Sequence, residues 1–286
     1  MLPLAQQTEP LVHFLHRKAP KFEPVLIALA DSCQYLINDL TGVGHSGMKT
    51  HNLHSWNVSL ENARAIHKNL RAWIITEGDC SQPRLVGRIS LTSNNESDQS
   101  ATIQACITVQ SSPSKTLLER KVAIKTAKFP LEPGLYAFRK VPAIIAALNK
   151  LNRVPDLFIC DGRGVTGDES FGVASHVGLV CSVPTIGIRP VKPRHMTETL
   201  GLERGSYLRV HDNNQIAAIV RIIDNADPLL VSPGHKISLE ASIAQVLDYI
   251  PASLSKREYL QALYPEAGHN NEAPVKLTLV HSATGR

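Results

Sequence analysis

The 286-residue chain contains no CxxC pair, no apolar run approaching the roughly 18 residues of a bilayer-spanning helix, and no basic start followed by an apolar stretch at its N-terminus. The first absence excludes a zinc site or redox motif built on such a pair. The second excludes a single-pass helical anchor, and the third a secretory signal, so an intracellular protein, cytoplasmic or nuclear, is expected. The five cysteines, Cys33, Cys80, Cys106, Cys160 and Cys181, are odd in number and widely spaced. They are read as reduced core thiols. No internal repeat is visible, which argues against an array of small units.

What is present is ordinary in amount. Hydrophobic residues make up 43% and charged residues 19%, close to the average of soluble folded proteins. The length suits one α/β domain with extensions rather than two cores. Thirty Lys and Arg against 25 Asp and Glu leave a formal charge of +5. Such an excess permits an acidic partner, and nucleic acid comes first because phosphates attract cations whatever the base sequence.

Residues 1–50 hold one apolar helical stretch, Phe22 to Leu40, followed by the Gly-rich break Gly42-Val43-Gly44-His45-Ser46-Gly47. They are expected to form an N-terminal extension and linker. From Ser59 to Ile75 the apolar residues Leu60, Ala63, Ile66 and Leu70 recur at helical spacing behind a Ser cap. Three β-rich runs follow, Arg84–Thr92, Thr102–Val109 and Leu117–Ala127, with turn residues between them, which predicts an antiparallel meander.

The pattern then alternates. A helix over Val141–Leu151, a strand Asp156–Cys160, a helix Phe171–Val180 and a strand Thr185–Ile188 imply parallel strands joined by crossover helices. Runs at Tyr207–Val210 and Ile216–Ile223 precede a last helix, Leu239–Ile250, and a polar tail occupies 266–286. The fold class expected is α/β, a mixed sheet with a three-strand antiparallel meander and parallel strands, flanked by helices.

The segment richest in chemistry is Cys160-Asp161-Gly162-Arg163-Gly164, which ends an apolar strand and is followed by Gly172-Val173-Ala174-Ser175-His176-Val177-Gly178 opening a helix. A carboxylate leaving a strand's carboxyl end beside glycines is well placed to hold a hard cation. A tight turn with a helix-entry Asp accounts for the same residues without any ligand.

Further motifs stand in a fixed order around it: Leu53-His54-Ser55-Trp56, Pro130-Leu131-Glu132-Pro133-Gly134-Leu135-Tyr136-Ala137-Phe138-Arg139-Lys140, Pro184-Thr185-Ile186-Gly187-Ile188-Arg189-Pro190, and Ser232-Pro233-Gly234-His235. Together these resemble the endonuclease V family. The resemblance implies a ribonuclease H-like fold and a nuclease that nicks DNA or RNA near inosine, the product of adenine deamination, using Mg2+ or Mn2+. It further implies that three carboxylates hold the metal while a lysine and a histidine assist. Carried over by position, Asp161 stands for one carboxylate and His235 for the histidine. Arg139, Lys140, Gly162, Arg163, Gly164 and Lys236 are the expected nucleic-acid contacts.

The other family positions are replaced. Ser90 stands where the first-strand Asp is expected, Lys140 where a Glu is, Pro190 where the lysine is, and Leu131 where the family has the tyrosine wedged into the damaged strand. The family's His-Pro-Arg appears as Gly167-Asp168-Glu169. An alternative register assigns the first-strand aspartate to Asp31, although Asp31 precedes the Leu-His-x-Trp helix. An ammonium about 4 Å from a divalent ion meets repulsion on the order of 8 kcal/mol at an effective dielectric of 20, so no metal is expected, or Asp161 alone as a ligand.

Three functional readings follow. In the first, the chain is an endonuclease V-like protein with impaired catalysis, retained as a nucleic-acid-binding or protein-binding component of an assembly, with its protein partner met through residues 1–50. The second is an active Mg2+- or Mn2+-dependent endonuclease directed at inosine, recruiting Asp168 or Glu169. The third is an interaction scaffold without nucleic acid. Ser175 with His176 is no nucleophile–base pair, because adjacent helix positions point apart. His45, His51 and His54 are read as a solvated linker.

Overall fold

The structure is a computed structural model that describes residues 47–94, 101–165, 171–191, 199–210 and 216–263. The chain divides into two compact units, 1–46 and 47–286. The stretch Phe22–Leu40, Cys33, Asp31, Asp168, Glu169 and the tail beyond 263 lie outside the described residues.

Helix α1 (Leu60–Arg71) starts where Ser59 Oγ accepts from Asn62 N, satisfying one of the amides that a helix start leaves without an intrahelical partner. The meander is β1 (Leu85–Ser93), β2 (Thr102–Ser111) and β3 (Leu117–Thr126), paired antiparallel in sequence. Helix α2 (Tyr136–Leu148), β4 (Leu157–Asp161), α3 (Val173–Cys181) and β5 (Thr185–Pro190) form the alternating part. The last elements are β6 (Tyr207–Val210), β7 (Ala217–Val220), β8 (Leu229–His235), α4 (Leu239–Tyr249) and α5 (Lys256–Leu263).

All eight strands join one sheet in the order β3-β2-β1-β4-β5-β8-β7-β6. Strand β4 is parallel to both β1 and β5, while every other pair is antiparallel. This is the mixed sheet expected. β4 lies between two parallel partners and is covered on both faces, so its run Leu-Phe-Ile-Cys is apolar without alternation. Phe158 and Cys160 join the core on the α2 and α3 side, and Leu157 and Ile159 the core on the α4 side.

Two elements escape the sequence reading. Strand β8 is interrupted on paper by Pro233-Gly234, yet both residues are buried and the strand pairs with β5 and β7. Helix α5 lies between the expected last helix, Leu239–Ile250, and the polar tail, where no element is expected. Residues 47–50, assigned to the linker, pack instead on the fold: Met48 is buried in the α2–α3 core, and Thr50 Oγ1 donates to Asn149 Oδ1 at 3.0 Å. Among the four cysteines described, Cys160 and Cys181 are buried, but Cys80 and Cys106 are only half-buried, so the core-thiol reading holds for two.

Candidate functional site

Strands β1 and β4 run parallel with Ile89 beside Cys160. The next step along each strand brings Ser90 level with Asp161. Side chains alternate across a strand, so Val86, Arg88 and Ser90 face the α4 side while Ile89 faces the other core. Asp161, two residues beyond Ile159, shares the face of Arg88 and Ser90. The site therefore consists of Arg88, Ser90 and Asp161 at the carboxyl end of the central parallel strands.

Both oxygens of the Asp161 carboxylate are engaged. Arg88 Nη2 donates to Oδ1 in a short ion pair, and Leu91 N donates to Oδ2 at 3.2 Å. Arg88 also donates through Nη1 to Ile89 O at 2.5 Å and to Ile159 O at 3.3 Å. Burial disfavours the charge on Arg88, but the charge and hydrogen bond of Asp161 outweigh it and hold the guanidinium pKa above its ordinary value. The Arg88 side chain is 12% exposed and that of Asp161 is 31%. The sequence reading passed over Arg88; its signal was an arginine two residues before Ser90, hence on the same strand face.

Behind Asp161 the chain turns in a space that only glycines leave open. Gly162 has φ +129° and donates its N–H to Ile188 O at 3.0 Å. A Cβ on Gly164 would lie 2.0 Å from Pro233 O, and one on Gly187 2.5 Å from Gly164 N. Gly164 N donates to Ser232 Oγ at 2.8 Å, and Val165 N to Pro233 O at 3.1 Å. These motifs, distant in sequence, are interlocked in space. The amides of Gly162 and Gly164, two of the expected nucleic-acid contacts, donate inside the fold.

His235 is brought elsewhere. Asp161 pairs with Ile188, whereas His235 pairs with Thr185, which in turn lies beside Phe158. Three residues along the strands and two strands across put the Cα atoms roughly 14 Å apart by ordinary strand spacings. His235 is buried, accepts through Nδ1 from Ile75 N at 3.3 Å, and packs its Cβ against Gly178. Burial, with a smaller push from Lys236, pulls its pKa down to about 4, so it is neutral near pH 7.

The expected nucleic-acid cations divide similarly. Arg139 is buried and donates to Phe129 O at 2.8 Å. Lys140 is buried, with its ammonium 5.7 Å from the centre of the Tyr136 ring. Lys236 donates to Ser182 O at 3.0 Å and Ser182 Oγ at 2.8 Å, tying off the end of α3. Arg163, next to Gly162, is partly buried. Leu131 is 37% exposed, and Pro190 ends β5 opposite Leu229.

His54 is no linker residue. Its Nε2 lies 2.7 Å from Nε2 of His176, and its ring meets Trp56 and Phe138. Ser175 and His176 are both buried in α3.

A divalent ion needs several acidic oxygens. Around Asp161 the neighbours are a hydroxyl and a guanidinium already bonded to the carboxylate, and this donor set does not fit Mg2+ or Mn2+. Among the described residues no group of three His, Cys, Asp or Glu is arranged to hold a metal ion. No helix of the described residues is long and apolar enough to cross a membrane.

The endonuclease V family profile matches residues 68–263. An endonuclease V of Nostoc sp. is 34% identical over 206 residues, spanning 71% of this chain and 92% of the relative. The endonuclease V structure from Bacillus subtilis aligns with a TM-score of 0.66 and 25% identity over 76% of this chain and 94% of its own. Endonuclease V of Ciona intestinalis, in complex with a DNA containing an inosine followed by a ribo-adenosine, aligns with a TM-score of 0.56 over 72% of this chain and 95% of its own. At 20% identity that last likeness is one of fold. The sheet described above is thus a ribonuclease H-like one.

Proposed function

The chain belongs to the endonuclease V family, and from that premise we propose that it keeps the family's nucleic-acid-binding role without metal-dependent cleavage, as a component of a larger assembly. The observation that supports this reading is the register of β1 on β4: it runs to Ile89 beside Cys160, and one further step sets Ser90 across from Asp161, where the family resemblance calls for a second carboxylate. With Lys140 in place of the expected Glu, three acidic groups are reduced to one, and that one is neutralised by Arg88.

Nucleic acid as the partner class rests on the relatives, one of which binds inosine-containing DNA, and on the net charge of +5. Arg163, partly buried beside the site, is the cation we assign to phosphate contact. Residues 1–46, the part of the expected 1–50 extension that precedes the packed residues 47–50 and lies outside the matched family region, are proposed as the attachment segment for a protein partner.

The test is a pair of measurements on the full chain. Inosine-containing DNA and RNA are incubated with Mn2+ or Mg2+, and the binding of the same oligonucleotides is followed across salt concentrations. We expect no nicking and an affinity that falls linearly with the logarithm of salt. Nicking that disappears in Asp161→Ala would establish an active nuclease instead, and absence of salt-dependent binding would favour a pure interaction scaffold.

A further inference from the structure

We propose that Arg88 is a built-in cation that occupies the place of a metal ion at Asp161, and that it excludes divalent ions from this site even when a lost carboxylate is restored. The inference rests on the reading that Asp161 stands at the family's metal position.

The geometry carries it in three steps. Arg88 and Ser90 lie two residues apart on one face of β1, and Asp161 meets them from β4, so a carboxylate introduced at position 90 would face the same guanidinium that already holds Asp161. A guanidinium presents five donors in a planar fork and can serve two carboxylates at once, whereas a metal ion would have to displace it. Arg88 is also anchored apart from Asp161, through Ile89 O and Ile159 O on the two neighbouring strands, so it cannot swing away without leaving main-chain bonds.

Charge points the same way. Asp161 and Arg88 sum to zero with Ser90 neutral, so nothing at the site attracts a dication. Restoring only an aspartate at position 90 brings the sum to a single negative charge, already shared on the guanidinium. Removing Arg88 as well leaves two adjacent carboxylates without the guanidinium between them, which is the situation a hard divalent ion relieves.

The experiment titrates Mn2+ alone, by calorimetry, into full-length wild type, S90D, R88Q and R88Q/S90D, with Lys140 left in place throughout. Gln keeps hydrogen-bonding capacity near the strand carbonyls while removing the charge. The double variant is expected to bind Mn2+ at least tenfold more tightly than any of the other three. S90D binding as tightly as R88Q/S90D would overturn the proposal, as would a folded double variant that binds no better than wild type. If R88Q/S90D is unfolded without metal, its melting profile with 5 mM Mn2+ answers instead. Recovery of a cooperative transition supports the role of Arg88, and no recovery while S90D remains folded refutes it. No oligonucleotide enters this test, so its failure is distinct from the failure of the binding and cleavage measurements on wild type.

Discussion

His54 and His176, 122 residues apart in sequence, share a hydrogen bond of 2.7 Å between their Nε2 atoms. The proton positions follow from the partners. His54 Nδ1 lies 2.9 Å from Ser55 O, which can only accept, so Nδ1 carries the proton and the bare Nε2 accepts from His176. Both rings are then neutral. Burial lowers the pKa of each, and His54 and His67 lower that of His176 further. His67 completes the group, stacked on Phe171 with ring centroids 4.3 Å apart.

An acid-labile fold is the consequence. Burial, and then the neighbouring His54, pull the His67 pKa from 6.5 to about 4, and burial does the same for His235. The unfolded chain therefore takes up protons first. The stability gained by keeping these rings neutral is complete above pH 6.5 and is lost as pH falls toward 4, by at most about 1.4 kcal/mol per pH unit for each ring. Urea denaturation at pH 7 and pH 5 should show a drop of a few kcal/mol in wild type. In His67→Phe, which keeps the stack on Phe171, the drop should shrink by the share of one ring, less than half of the whole because His54, His176 and His235 also resist protonation. An equal drop in the variant would mean that His67 does not contribute.

Lys236 is held by the fold through Ser182. Its ammonium is half-buried on Ser182, whose left-handed backbone ends α3. Lys236→Ala should lower stability by about 1 kcal/mol, the usual worth of such bonds after allowing for partial exposure. It should leave oligonucleotide affinity within twofold of wild type. A larger loss of affinity at unchanged stability would return Lys236 to the nucleic-acid contacts.

Much of the architecture was legible because it is written in local periodicity. The meander, with its alternating apolar residues and Ser/Asn/Pro turns, and the apolar run of β4 announce themselves. β8 did not, because Pro233 and Gly234 normally punctuate; here they are forced by contacts with Thr185 and Gly164 that no local pattern reveals. The site was legible in part for the same reason. Ser90 and Asp161 were matched by motif order, and they lie one step beyond the last register pair of β1 and β4, Ile89 with Cys160. That Arg88 would bridge to Asp161 and that His235 would stand at the far end of β8 depend on strand pairing, which sequence spacing does not encode.

The glycines of the interlocked turn should differ sharply in tolerance. A Cβ on Gly164 would lie 2.0 Å from the backbone oxygen of Pro233, which cannot move without breaking β8, whereas Gly134 has open space around it and only its φ of +82° to disfavour a side chain. Gly164→Ala is expected to cost more than 3 kcal/mol or to prevent folding, and Gly134→Ala about 1 kcal/mol. Melting temperatures of the two variants compare them directly. A Gly164→Ala protein as stable as Gly134→Ala would contradict the close passage of β8 behind Asp161.

The Arg88–Asp161 pair also makes an asymmetric prediction about stability. Arg88 is the more deeply buried partner, at 12% side-chain exposure against 31%, so removing Asp161 strands a buried cation while removing Arg88 leaves a carboxylate that can still reach water. Breaking a fully buried pair typically costs 3–5 kcal/mol, and partial exposure reduces this to about 2–3 kcal/mol for Asp161→Asn. Arg88→Gln should cost less, about 1–2 kcal/mol, because Leu91 N still donates to Asp161. The double variant should be more stable than the sum of the single losses implies, since neither group then remains unpaired. Urea denaturation of the four proteins at pH 7 closes the cycle. Additive losses would mean that the two groups do not depend on each other, and the picture of a guanidinium standing in for a metal ion would lose its energetic basis.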